Sequence, residues 1–267
     1  MKGRSAIVVH GHRGSRGTHP ENTIPSFEEA RDSGAGAIEL DVHLSADDHP
    51  VVFHDAVISS KLCTDPRGNP VEVPRALREM SFLEIQRYEC GGIAQPQFSE
   101  QKPITGVRIP TLEQVLEWKV QKAPKLFLNI EIKYESTRPD LLPTPEMIAG
   151  RVIILLRKYQ LVQTSLVQSF DFRVVKAARK MEPLLKLSCL FEHDADFGSV
   201  AFETGAQVAA TDYKLLTPEK IQACKHKGIE VLPWTVNDPA DWKKLIDWGV
   251  DGIITDYPRK LVRFISD

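Results

Sequence analysis

The chain has 267 residues, close to the length of one (β/α)8 barrel and also enough for two smaller domains. Its 42% hydrophobic and 26% charged residues are ordinary for a globular chain with a sizeable core, and a formal net charge of −2 excludes a generally basic nucleic-acid binder. A near-neutral total does not exclude a small anionic ligand, because a few cations inside a cleft outweigh a neutral exterior.

The first candidate strand covers residues 7–11 and runs into His10-Gly11-His12-Arg13-Gly14. A histidine and an arginine at a strand's end can supply a proton-transfer group and a phosphate-binding guanidinium, or merely polar residues in a turn. The second, 37–42, contains Ile38-Glu39-Leu40-Asp41-Val42. Residues two apart on a strand share a face, so Glu39 and Asp41 point one way and the apolar residues the other. If the apolar set meets helices, the carboxylates enter a barrel, where a cation or strong donors must sit between them. A third strand, 51–54, ends on His54-Asp55, only a short loop after the second, which is too short for a helical crossover.

From residue 57 to about 108 glycine, proline and charges cluster around one helix-like piece, and this stretch reads as an insertion over one mouth of the barrel. Thr111 followed by Gln114 is a capping box. The strand at 126–133 repeats the earlier logic: Asn129, Glu131 and Lys133 share one face and Leu128, Ile130 and Ile132 the other. Further strands are expected at 165–169, 186–191, 207–211, 230–236 and 252–255. Thr144-Pro145, Thr217-Pro218 and Asp238-Pro239 open helices between them. Ser169-Phe170 and Trp234-Thr235-Val236-Asn237 end two of these strands, with aromatics that either wall a polyol or headgroup pocket or pack. Strand–helix alternation of this kind implies a parallel sheet, and at this length a TIM (β/α)8 barrel leads. Nine strand candidates for eight places leave at least one outside the barrel.

No apolar run is long enough to cross a bilayer, and the stretch Ala6 to Val9 after Lys2 and Arg4 is too short for a secretory signal. Cys63, Cys90, Cys189 and Cys224 form no CxxC pair and suggest neither a zinc site nor a disulfide framework; reduced thiols fit a cytoplasmic protein. An oligomer is compatible with all of this.

His12-Arg13-Gly14, Pro20-Glu21-Asn22-Thr23, Glu39-x-Asp41, His54-Asp55, Glu131-Ile132-Lys133, Trp234-Thr235-Val236-Asn237 and Gly249-Val250-Asp251-Gly252-Ile253-Ile254-Thr255-Asp256 occur in that order over nearly the whole chain. In this the sequence resembles the glycerophosphodiester phosphodiesterase family. The resemblance implies one barrel domain over residues 1–267, with the insertion at 57–108 following the His-Asp strand. It implies hydrolysis of glycerophosphodiesters to glycerol phosphate and an alcohol. Glu39, Asp41 and Glu131 would bind one divalent ion, Mg²⁺ or Ca²⁺, as all-oxygen ligation favours. His12 and His54 would be the acid–base pair, Arg13 and Lys133 would hold the phosphate, and Glu21, Asn22 and Trp234 would lie on the substrate side. Attack by water and formation of a cyclic phosphate are both open. Lys61-Leu62-Cys63-Thr64 departs from an Arg-Thr-Thr-like stretch found in many members, which bears on headgroup contacts. A lysophospholipase D, a phosphoinositide phospholipase C and a non-catalytic phosphodiester-binding barrel are the alternatives. For the first, Phe82, Leu83, Ile85 and Phe98 of the insertion could supply apolar surface.

Overall fold

A computed structural model describes residues 7–134 and 139–267. Eight parallel strands form the wall: β1 (Val8–Gly11), β2 (Ala37–Leu44), β3 (Phe127–Ile132), β4 (Ser165–Ser169), β5 (Lys186–Phe191), β6 (Val208–Asp212), β7 (Glu230–Trp234) and β8 (Gly252–Thr255). They lie in the order β7-β6-β5-β4-β3-β2-β1-β8, so the first and last strands are neighbours, with Val8 opposite Gly252 and Gly11 opposite Thr255. Between β7 and β8 there is no ladder, but Asp251 N–H donates to Val231 O at 3.1 Å and Val236 N–H to Ile254 O at 2.9 Å. These two bonds nearly close the barrel.

The helices are α1 (Ile24–Asp32), α2 (Leu112–Lys122), α3 (Pro145–Lys158), α4 (Phe172–Met181), α5 (Phe197–Thr204), α6 (Pro218–His226), α7 (Pro239–Trp248) and α8 (Pro258–Ser266). Their starts follow from local chemistry. Thr111 and Gln114 make the reciprocal capping box, while Thr144, Thr217 and Asp238 accept from the backbone N–H of Met147, Lys220 and Ala240. Each such cap contributes about 1 kcal/mol. No helix among the described residues is long and apolar enough to cross a membrane.

Period-two patterning decides which side chains fill which layer. Ile38, Leu40, Val42, Leu128, Ile130 and Ile132 face outward into the main core against the helices. Each is worth about 1.5–3 kcal/mol when fully buried. Inside the barrel, Leu166, Leu190, Val208, Ala210, Leu232 and Ile254 form a separate apolar plug. Glu39, Asp41 and Glu131 lie inside it too, on the strands β2 and β3.

The surplus strand candidate is resolved by its short connection. Residues Pro50–Val52 turn back antiparallel on β2, pairing Val52 with Val42 and Pro50 with Leu44, and stay outside the barrel. His54 therefore follows a hairpin and not a barrel strand, contrary to expectation. The stretch that follows carries its own small core around Ile58, Leu77, Met80 and Ile85. It includes a two-stranded ladder, Val57–Ile58 with Arg75–Ala76, and a one-turn helix, Phe82–Ile85.

One expectation fails outright. Cys63 and Cys90 are joined in a disulfide across 27 residues, while Cys189 and Cys224 are free and buried. The insertion's own fold makes the pair, because Thr64 and Glu89 exchange backbone hydrogen bonds of 2.8 and 3.3 Å next to it. Disulfides persist mainly in oxidising compartments, so the thiol argument for a cytoplasmic protein falls.

Candidate active site

The loop after β1 is shaped by two left-handed residues, Arg13 (φ 49°) and Gly14 (φ 86°). A Cβ on Gly14 would come within 2.5 Å of Ser26 Oγ, so a side chain there would collide with α1. Arg13 has no such relief from its own geometry, and a non-glycine residue in this region costs about 1–3 kcal/mol. The compensation is visible. Its backbone N–H donates to Glu39 Oε2 at 2.9 Å, and its Nη1 donates to Glu21 Oε1 at 2.7 Å. Its Nε lies 3.3 Å from Asp41 Oδ2, an ion contact without hydrogen-bond alignment.

Pairing of β2 with β3 sets Glu39 beside Asn129 and Asp41 beside Glu131. One oxygen from each of Glu39, Asp41 and Glu131 lies within 4.8 Å of the others, and all three residues are buried. Burial, with repulsion from Asp41 and Glu131, drives the Glu39 carboxyl well above its ordinary pKa. Burial also raises Glu131, against the pull of Lys133. Asp41 goes the other way: burial opposes ionisation, but Arg13, His54, Lys133 and an Asn22 hydrogen bond overcome it. Protein cations thus hold one carboxylate charged and leave two short of compensation. Lys133 Nζ sits 3.0 Å from Glu131 Oε1, yet that oxygen has no aligned hydrogen bond. A compact, buried, oxygen-only set with unmet negative charge fits a small hard cation.

Two histidines flank the cluster, and each has a carboxylate on Nδ1. His12 Nδ1 is 2.7 Å from Asp256 Oδ1, a residue 244 positions away that β8 delivers beside β1. Asp256 is itself fixed: Asn237 Nδ2 donates to its Oδ2 at 2.7 Å, and its backbone N–H donates to Asn237 Oδ1 at 2.9 Å. Burial lowers the His12 pKa, partly offset by Asp256. The Asp256 carboxyl stays low despite burial because His12 stabilises its charge. On the other side, His54 Nδ1 is 2.7 Å from Asp55 Oδ1, and Lys133 Nζ is 3.3 Å from His54 Nε2. In the neutral form with the proton on Nδ1, each histidine presents the Nε2 lone pair for proton transfer. His10, two residues below His12 on the same face, is different: burial pushes its pKa down to about 3. It stays neutral.

These groups line a cavity of about 620 Å³ at the C-terminal mouth, shared by His12, Arg13, Glu39, His54, Glu131 and Lys133. Trp234 forms one wall, edge-on to Phe170 at 5.7 Å, with its buried indole Nε1 lacking a hydrogen-bond partner among the described residues. Glu21 and Asn22 stand behind the wall. Glu21 is spent on Arg13 and Arg16, at 2.7 and 2.6 Å. Both amide atoms of Asn22 are spent on Asp41, Nδ2 donating to Oδ2 at 2.8 Å and Oδ1 accepting the backbone N–H at 3.2 Å. Sequence reasoning gave no role to Asp256, Asn237 or Arg16. A carboxylate directly after the last strand was the signal for Asp256, since barrel closure makes that strand the neighbour of the first.

An open barrel mouth with an acidic cation cradle, basic side chains for an anion and two proton carriers defines a barrel enzyme built to cut phosphate esters. The profile of the glycerophosphoryl diester phosphodiesterase family matches residues 12–260. A glycerophosphodiester phosphodiesterase of Caldanaerobacter subterraneus subsp. tengcongensis is 32% identical over 97% of this chain and 97% of its own length. One from Bacillus subtilis is 30% identical, over 94% of this chain and 84% of its own. A solved structure from Silicibacter pomeroyi, provisionally named a glycerophosphoryl diester phosphodiesterase, superposes with a TM-score of 0.92 at 28% identity, covering 98% of this chain and 94% of that one. The chain belongs to the glycerophosphoryl diester phosphodiesterase family and is an enzyme of the phosphoric diester hydrolase class.

Proposed function

We propose that the protein hydrolyses small glycerophosphodiesters to sn-glycerol 3-phosphate and an alcohol, with residues 1–267 as one catalytic domain and 57–108 as its insertion. The observation that carries this reading is the placement of His12 and His54, each oriented by its own carboxylate, around one cavity with the Glu39–Asp41–Glu131 cluster. Glu39, Asp41 and Glu131 would hold one Mg²⁺ or Ca²⁺, which would supply positive charge to offset the negative charge of the phosphate.

The protein's own groups do the rest. Arg13 and Lys133 meet the phosphate's negative charge, and Lys133 is near enough to His54 to feel its proton come and go. One histidine accepts a proton at Nε2 from the attacking oxygen, and the other gives one to the departing alkoxide, which otherwise leaves poorly. Asp256 and Asp55 stabilise the imidazolium that the base becomes and the one that the acid starts as. Trp234 offers its unpaired indole N–H to a substrate hydroxyl.

A lysolipid reading requires an apolar groove near the mouth. Of the four insertion residues that could build one, Ile85 lies in the insertion's core, Phe98 is covered by Arg16 and Phe82 is half-buried. Only Leu83 faces solvent. This favours water-soluble diesters. The test is release of choline from glycerophosphocholine by purified protein, before and after chelation and after adding back Mg²⁺ or Ca²⁺. Metal-dependent release is expected; absence of release, or full activity after verified removal of metal, overturns the reading.

A further inference from the structure

We infer that Arg16 is a substrate-anion-binding residue, held ready by the insertion. It follows the His12-Arg13 loop and reaches the cavity wall. Only its Nε is engaged, on Glu21 Oε2 at 2.6 Å, and the described residues offer its two terminal amino groups no hydrogen-bond acceptor. A guanidinium has five donors in a planar fork, so this one presents an unused edge to the cavity.

The support beneath it is specific. Phe98 of the insertion stacks under the guanidinium, 4.8 Å from carbon to ring centroid, and is itself buried. Gln101 Nε2 donates to the Arg16 carbonyl at 2.7 Å, and Lys102 N–H donates to the Thr18 carbonyl at 3.0 Å. From the barrel side, Gly17 N–H donates to the Asp256 carbonyl at 2.9 Å, and its Cα packs so closely on the Tyr257 ring that a Cβ would lie 2.2 Å from it. An arginine anchored on both sides of its own backbone, stacked on a ring and tethered at Nε has lost most of the freedom that a surface arginine keeps. Its charge is close enough to bear on both His12 and Asp256. Glu21 joins it to Arg13, so the two guanidiniums form one unit around a shared carboxylate. Lys133 and His54, with the Phe170 ring, occupy a different part of the wall. The cavity thus has two cationic poles, and Arg16 strengthens the one beside His12.

The anion it takes is an oxyanion of the substrate, either the scissile phosphate or an acidic group on the departing alcohol. This rests on the hydrolase reading above, and the experiment separates the two. Arg16→Ala, Arg16→Lys and Phe98→Leu are assayed, in Mg²⁺ or Ca²⁺, on glycerophosphocholine and on glycerophosphoinositol 4-phosphate. Losing a charge-assisted contact raises KM about 10–100-fold in Arg16→Ala with kcat changed less than about threefold. Arg16→Lys regains part of that loss, and Phe98→Leu, which loosens the support and keeps the charge, raises KM by about threefold. An equal rise on both substrates assigns the scissile phosphate; a rise confined to the second assigns the headgroup anion. Unchanged KM on both, in folded Arg16→Ala or in Arg16→Lys if the alanine variant does not fold, overturns the proposal. If wild-type protein hydrolyses neither substrate, the hydrolase reading fails by itself. Arg16 is then judged by calorimetry with glycerol 3-phosphate, where equal affinity of wild type and Arg16→Ala overturns it and a tenfold weakening sustains it.

Discussion

The two histidine–carboxylate pairs look alike in distance and differ in construction. His12 and Asp256 come from opposite ends of the chain, meet through barrel closure, and are locked by Asn237; their side chains are 13% and 5% exposed. His54 and Asp55 are sequence neighbours after an outlying hairpin, 29% and 24% exposed, with Lys61 at 3.9 Å behind the carboxylate. The first pair is preorganised by the scaffold, whereas the second is a contact between sequence neighbours. Equal geometry therefore does not mean equal sensitivity to change, and the proposed mechanism can be tested on that difference.

Removing what both pairs share has the largest effect. Chelation, or Glu131→Gln, should lower turnover about 10³-fold or more, since several kcal/mol of charge stabilisation disappear. The same ion should raise stability by about 2.7 kcal/mol at a hundred times its dissociation constant, read as a shift in thermal midpoint that Glu131→Gln abolishes. An unshifted midpoint in the wild type would count against the cation cradle. Next come His12→Ala and His54→Ala, each expected to cost about 10²–10⁴-fold in kcat with the fold intact. If either variant keeps near-wild-type kcat, that histidine leaves the mechanism.

The comparison is sharpest one step out. Asp256→Asn should lower kcat by about 10²-fold, because no second group among the described residues bonds His12 Nδ1 to fix its tautomer, while Asp55→Asn should cost about tenfold or less. The pH profile gives the sign. Asp256 raises the His12 pKa, so its neutral replacement lets that pKa fall further. The limb of the kcat/KM profile that reports His12 should move to lower pH in Asp256→Asn and stay in place in Asp55→Asn. A shift to higher pH would contradict the assignment. The smallest effect on chemistry belongs to the disulfide. Cys63→Ser with Cys90→Ser should remove about 2–4 kcal/mol of stability and change turnover less than about threefold, by thermal melts and steady-state rates. A large kcat loss would show that the His54 side depends on the insertion more than its exposure suggests.

Much of this was legible in one dimension. Alternation at positions 38–42 and 128–133 told which side chains entered the barrel, because a strand has only two faces, and Thr-Pro and Asp-Pro pairs marked helix starts through local hydrogen bonding. What local chemistry could not reveal were contacts fixed by closure or by an irregular segment. The Asp256 partner of His12 exists only because β8 lies against β1. The Cys63–Cys90 bond and the stacking of Phe98 on Arg16 depend on how the insertion folds, and glycine, proline and charge clusters carry no periodicity from which to read that. The surplus strand at Pro50–Val52 fell between the two: its short connection excluded a helical crossover, but the antiparallel return on β2 is seen only in the fold.

The span of the His12–Asp256 bond also bears on when the protein becomes active. A ribosome adding about 5–20 residues per second has made the three carboxylates and both histidines by Glu131, 125 positions before it reaches Asp256. Until then the proton carrier on the first strand has no orienting partner, so a nascent or prematurely terminated chain already bearing its cation ligands remains a poor hydrolase. Turnover in this fold therefore reports that synthesis has passed the strand that brings Asp256 to His12.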